Sequence, residues 1–218
     1  MGVMPKEVKR RPYDGANRQA RSLATRRRVL AAAREVMVEH GYVGTTVAAI
    51  AERADVNNDT VYTLVGRKPV ILRELIEQAI SGTDEAVVAE ERDYVRAMLA
   101  EPDPKKKLVL YAKAIRLIQG RLAPLFMALR DAANTEPEAH AVWQEISDRR
   151  AANMRKFALD LRRAGGLREG TGIAEAADVL WATNSSELYV MLTDERGWSP
   201  ARYERWLAAT WQRLLLPD

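Results

Sequence analysis

The chain has 218 residues, 47% of them hydrophobic, which is enough apolar material for a substantial core in one large domain or in a small domain beside a larger one. Cysteine is absent, which excludes a disulfide framework and thiolate chemistry and fits a reducing compartment, so the chain reads as cytoplasmic. The net charge of +4 is unevenly placed: nine Lys or Arg between Met1 and Arg28 face only Glu7 and Asp14, the remainder is net acidic, and the partner of the N-terminus is expected to be an anion.

In chain order, residues 1–24 read as a basic flexible arm and residues 25–82 as a compact helical unit. Val29, Ala33, Val36 and Met37 recur at helical spacing, and Gly41 stops that pattern as a C-terminal cap does. Thr45 or Thr46 can cap a second helix whose inner face is Val47, Ile50, Ala51 and Ala54. Asp55 falls where a left-handed turn residue is needed, a conformation that Asp tolerates better than most residues. Asn57 can cap a third helix by accepting from the amide of Thr60, with Val61, Leu64 and Val65 facing inward. Gly66 ends it, and Pro69 opens a longer fourth helix carrying Ile71, Leu72, Leu75, Ile76 and Ala79.

Helices this short are marginal alone, so the second and third must be held by packing on the first and fourth. The inward residues leave Asn58, Asp59, Tyr62 and Thr63 outward on the third helix, a polar face suited to base edges in a major groove. The unit therefore reads as a helix-turn-helix with double-stranded DNA as its partner; a small bundle with a solvated polar face has the same periodicity.

The run "TRRRVLAAAREVMVEHGYVGTTVAAIAERADVNNDTVYTLVGRKPVILREL", residues 25–75, also resembles the N-terminal DNA-binding domain of TetR-type transcriptional regulators. It departs from their pattern at Asp55 and Asp59, where Gly or another small residue is usual, and at Val65, where an aromatic is frequent. The resemblance implies phosphate contacts by Tyr62 and by Lys68, which opens the fourth helix, and the chemistry of those side chains supports them. Asn58 suits the paired hydrogen bonds of adenine and Asp59 the amino group of cytosine. Thr45, Thr46, Asn57, Thr60 and Thr63 can touch DNA or serve as caps, and the arginines from Arg21 to Arg28, Arg26 and Arg27 among them, can reach a neighbouring minor groove.

Residues 83–218 read as a C-terminal helical regulatory and dimerisation domain. An acidic, weakly periodic stretch at 83–102 is followed by helices expected near 104–120, 122–133, 137–164, 173–193 and 200–215, several opened by Pro. The last two are too apolar for one buried face, and pairing with a second copy would cover the surplus; Leu188, Met191, Trp206 and Trp211 are the candidate interface residues of a homodimer. A ligand cavity is expected between the helices, with Tyr111, Ile115, Phe126, Met127, Arg130, Trp143, Trp181 and Asn184 as candidate lining, although aromatic and Met residues at helical spacing are more often core.

Catalysis finds no support. His40 and His140 lack the spacing of a metal site, no Gly-rich phosphate loop is present, and no serine sits in a nucleophile elbow, so neither metal nor cofactor is expected. No stretch approaches the ~20 apolar residues that span a bilayer, so no membrane partner is expected. The expected fold is all-α: an N-terminal three-helix helix-turn-helix domain joined by a fourth helix to a C-terminal helical ligand-binding and dimerisation domain. The expected function is a DNA-binding repressor that binds a palindromic operator as a homodimer and is released by a small hydrophobic or aromatic effector. A DNA-binding regulator without an effector and a helical enzyme or interaction module are the alternatives.

Overall fold

The computed structural model describes residues 15–84 and 87–217. Every regular element among them is helical: α1 (Gly15–Gly44), α2 (Val47–Arg53), α3 (Asn58–Leu64), α4 (Lys68–Ser81), α5 (Asp93–Ala100), α6 (Pro104–Ala133), α7 (Pro137–Arg163), α8 (Ile173–Thr183), α9 (Ser186–Val190) and α10 (Pro200–Leu215). A 3-10 turn at Ala89–Glu91 precedes α5, and a π-helical turn at Met191–Glu195 follows α9. Among the described residues no helix is long and apolar enough to cross a membrane, and no cluster of His, Asp and Glu could hold a metal ion.

The first four helices follow the expected caps closely. Gly41 leaves helical geometry at φ 68° inside the span of α1. Thr46 caps α2 by accepting from the amide of Ala49, and Asp55 takes the left-handed turn at φ 52°. Asn57 caps α3, and its oxygen accepts from both the amide of Thr60 at 2.7 Å and the Thr60 hydroxyl at 2.6 Å. Val29, Val36, Met37, Ile50, Val61, Ile71 and Ile76 are fully buried, so the two short helices are held by α1 and α4.

Three expectations are corrected. Residues 15–24, assigned to the flexible arm, are already helical in α1; Leu23 there is 52% exposed, so the segment has no buried stripe by which periodicity could reveal it. The basic residues Lys6, Lys9, Arg10 and Arg11 lie outside the described residues. Residues 104–133 form one helix although Gly120 and Pro124 lie within it. The pair sits on the exposed side, while Ile118, Leu122, Leu125, Phe126 and Leu129 continue a single buried stripe past it, so packing carries the helix across the missing amide. Residues 173–193 split at Asn184, because Ser185 caps α9 through the amide of Leu188 and the Gln119 amide donates to the Asn184 carbonyl at 2.6 Å.

Helix α6 lies at the centre, packed against α1, α4, α5, α7, α9 and α10. Trp211 belongs to this interior and not to an outer face. It is fully buried, stacks on Tyr111 with ring centroids 5.3 Å apart, and donates its indole N–H to the Thr183 hydroxyl at 2.6 Å. A subunit interface therefore cannot use Trp211, because α6 already covers it. Of the other three candidate interface residues, Met191 is 47% exposed and Leu188 and Trp206 are half-buried.

Replacing Trp211 by Ala removes a stacked, hydrogen-bonded indole from a fully buried site. The loss should be about 3–5 kcal/mol of stability, read by urea unfolding at several protein concentrations. A concentration-independent loss of that size marks a core residue.

Candidate functional site

The outward face of α3 is the first candidate site. Asn58, Asp59 and Thr63 are exposed and Tyr62 is 50% exposed, so four polar side chains stand together on one short helix. Beside them runs a groove bordered by Arg21, Ser22 and Thr25 of α1 and by Asp59, Thr60 and Thr63. The groove exists because α1 continues upstream of its buried stripe, so Ser22 and Thr25 were not legible as neighbours of α3.

Several other predicted DNA contacts have structural partners. Thr45 is buried and its hydroxyl donates to the Gly41 carbonyl at 2.6 Å, so it closes the end of α1 and has no surface to offer a phosphate. Thr46, Asn57 and Thr60 are engaged in the caps of α2 and α3. Arg26 is turned inward: its Nε donates to the Leu64 carbonyl at 3.1 Å, and its terminal nitrogens grip the Glu74 carboxylate at 2.5 and 2.6 Å. It thus ties α1 to the last turn of α3 and to α4. Arg27 stays largely exposed and pairs with Asp84 at 3.0 Å. Lys68 donates to the Tyr42 carbonyl at 3.1 Å with its ammonium 4.3 Å from the Tyr42 ring centroid. Burial, aided by Glu138 and Glu136, pushes the Tyr42 hydroxyl up to about 12.

The second candidate site is a cavity of about 680 Å³, inside the range of roughly 300–1,000 Å³ common to small-molecule sites. Its apolar wall includes Ile115, Ile118, Leu122, Phe126 and Phe157. At its inner end Asn184, 2% exposed, donates from Nδ2 to the Tyr111 hydroxyl at 3.1 Å and to Met154 Sδ at 3.0 Å, while its own Oδ1 has no hydrogen-bond partner among the described residues. Ser186 donates to Gln119 Oε1 at 2.8 Å, which anchors the α8–α9 break to α6. Burial raises the Tyr111 hydroxyl well above its ordinary range, so it remains a neutral donor and acceptor. Burial likewise holds the Arg150 guanidinium below the usual arginine range; its Nη2 donates to the Trp181 carbonyl and its Nε has no hydrogen-bond partner among the described residues.

Of the residues expected to line a cavity, Tyr111, Ile115, Phe126 and Asn184 do so. Met127, Arg130, Trp143 and Trp181 lie outside its wall: Arg130 pairs with Glu187, and Trp181 stands 37% exposed beneath the Arg150 guanidinium. Sequence reasoning missed the charged rim, where Arg73 and Glu77 of α4 and Arg149 and Arg150 of α7 also line the cavity. One signal was present. The buried stripe of α7 runs through Ala139, Val142, Ile146, Met154 and Phe157, and Arg149, Arg150 and Asn153 interrupt it where apolar residues would continue it.

Residues 29–64 match the family described as bacterial regulatory proteins, tetR family. No curated protein matches the chain in sequence. Among solved structures it is similar to the native repressor NalD of Pseudomonas aeruginosa (22% identity over 90% of this chain and 99% of that one, TM-score 0.70). It is also similar to the transcriptional regulator FadR of Bacillus subtilis in complex with stearoyl-CoA (20%, 84% and 96%, TM-score 0.67) and to a regulator from Saccharomonospora viridis in complex with choline (19%, 88% and 98%, TM-score 0.68). Residues 29–64 thus carry the tetR-family sequence match, and the described residues share the all-helical fold of these solved regulators.

The Arg26 clamp yields a test. In a double-mutant cycle Arg26→Ala and Glu74→Gln should each destabilise the protein, and their coupling should lie in the range of about 0.5–3 kcal/mol set by direct contact in one network. Additive effects in thermal or urea unfolding would show that the two do not act together.

Proposed function

We propose that the chain is an effector-responsive repressor: a cytoplasmic homodimer that binds a near-palindromic operator and leaves it when a small molecule with a large apolar part occupies the cavity. In this reading α1–α4 are the reading head and the later helices the regulatory and dimerisation part. The observation that carries it is the double duty of α4, which holds α3 through Glu74 and Arg26 and walls the cavity with Arg73, Glu77 and Ile80. The ligands held by two proteins of this fold, stearoyl-CoA and choline, and the repressor role of a third, support the same assignment.

Asn58, Asp59 and Thr63 are the proposed base readers, with Tyr62 donating to a phosphate. Lys68 exchanges the Tyr42 carbonyl for a second phosphate on docking, a switch from a neutral acceptor to a charged one. Trp181, Met191 and Leu214, at 37, 47 and 50% exposure, are the apolar side chains proposed to meet a second copy. Two-fold pairing would set two α3 helices for half-sites about 34–36 Å apart.

Selection from random duplex DNA should enrich an inverted repeat, with log K falling by about 0.9 per phosphate neutralised for each unit of log salt. Tyr62→Phe and Lys68→Ala should weaken binding to all sequences alike, whereas Asn58→Ala should cost discrimination of roughly 1–3 kcal/mol at the base pair it reads. Enrichment of no repeat would overturn the operator reading.

Trp211 stacks on Tyr111, a residue of the cavity wall, so an occupant should perturb tryptophan emission and Trp211→Phe should reduce that response. By linkage the same ligand should bind less tightly in the presence of operator, by about 5–150-fold. A broad screen of apolar and aromatic compounds that alters neither emission nor operator affinity would leave a DNA-binding regulator with no effector.

A further inference from the structure

We propose that the occupant of the cavity is an amphipathic anion, an apolar body ending in a carboxylate or phosphate, and that its anionic group competes with Glu77 for Arg149 and Arg92. The inference rests on the reading of this cavity as an effector site and names both the ligand class and the release step.

The ion pairs of the rim carry the first half of the argument. Arg73 has its own carboxylate in Glu145 at 2.5 Å, and Lys156 has Glu90 at 2.9 Å. Arg92 and Arg149 share a single carboxylate, that of Glu77. Arg150 has no carboxylate partner among the described residues; Glu187 lies within electrostatic reach of it but pairs with Arg130. Among the described residues, three guanidinium groups therefore stand against the one carboxylate of Glu77 at this part of the wall. Arg92 and Glu77 are sheltered from water, their side chains only 10% and 14% exposed, while Arg149 reaches the same carboxylate from the more open side at 44% exposure. A second anion is strongly favoured in such a place, and guanidinium groups recognise carboxylate or phosphate oxygens in pairs.

The remainder of the cavity decides what the anion is attached to. Ile115, Ile118, Leu122, Phe126 and Phe157 would stay in contact with water around an inorganic ion, whereas an apolar body dries them. A neutral apolar ligand leaves the surplus positive charge in place, and a cationic one adds to it.

Glu77 supplies the release step. Its carboxylate joins α4 to Arg149 of α7, and Glu74, one helical turn before it, joins α4 to Arg26 and so to the Leu64 carbonyl of α3. An incoming anion that takes Arg149 removes an α4–α7 tie. The helix that positions α3 then shifts relative to α7, and the liganded state is the one with Glu77 displaced. Glu77 is thus a positioning residue, acting on DNA through α4.

The test uses purified full-length protein with decanoate, decyl phosphate, decanol and decylamine, each below its micelle-forming concentration, followed by tryptophan emission and by affinity for the selected operator. The two anions should bind at least about tenfold more tightly than decanol, with decylamine weakest, and should lower operator affinity; the tighter anion identifies the headgroup. Arg149→Gln should lose that preference for anions while keeping decanol affinity. Glu77→Gln should raise affinity for the anions by about three- to tenfold, leave decanol unchanged and weaken operator binding without ligand. Decanol bound as tightly as decanoate, or none of the four bound, would overturn the anion assignment and leave the effector reading to the wider ligand screen. Anions that bind as expected without changing operator affinity would overturn the release step together with that reading. Glu77→Gln that weakens anions and decanol alike and lowers the melting temperature would overturn the competition.

Discussion

Burial of α6 is the constraint on which the other positions depend. From Leu108 to Ala132 this helix presents apolar side chains in several directions, and they are covered by α1 and α4 from the DNA-binding end and by α5, α7, α9 and α10 from the other. A helix enclosed in this way cannot bend at Gly120 and Pro124 without exposing Ile118, Leu122 and Phe126 together. At about 25 cal/mol per Å² of apolar surface, that exposure outweighs the one hydrogen bond that Pro124 removes. The same burial fixes the cavity, which is the space that α6, α7 and the α4–α5 region leave unfilled around Tyr111.

The two halves of the molecule are fastened along one edge by arginines. Arg34 of α1 donates to the Arg121 carbonyl of α6 at 2.5 Å, and Arg121 donates to the Ala79 carbonyl of α4 at 2.9 Å. Gly82 ends α4 with φ 76°, and a Cβ there would lie 3.0 Å from the Arg121 guanidinium, so the turn and the arginine occupy one site between them. Burial lowers the pKa of both arginines, and for Arg34 the nearby Arg121 charge adds to that effect. Carbonyl acceptors give these guanidinium groups direction without neutralising them. Such ties set the geometry between α1, α4 and α6 more than they add stability.

At α4 the partition is different, since its ties there are ion pairs. Glu74 binds Arg26, which holds the end of α3, and Glu77 lines the cavity, so one short helix carries ion pairs to both candidate sites. The cavity itself combines a neutral, hydrogen-bonded inner end at Asn184 and Tyr111 with a cationic rim at Arg92 and Arg149. This polarity sets it apart from a purely aromatic pocket.

Much of the N-terminal unit was legible in the sequence because its decisive interactions are local. The Asn57 cap reaches three residues, the Asp55 turn concerns one residue's own backbone, and the apolar stripe of each helix repeats within a turn or two. The outward placement of Asn58, Asp59, Tyr62 and Thr63 follows from Val61 being inward, again a local matter. What the sequence could not determine depends on partners far along the chain. Arg26 reads as one more arginine of a basic run, and only Leu64 and Glu74 make it internal. Trp211 reads as part of a surplus apolar stripe until α6 brings Tyr111 against it. Glu77, Arg92 and Arg149 meet across three separate segments, so their shared charge is a property of the tertiary structure alone. Helical periodicity reports which side of a helix avoids water; it carries no information about which distant side chain, of which charge, will occupy the other side of the contact.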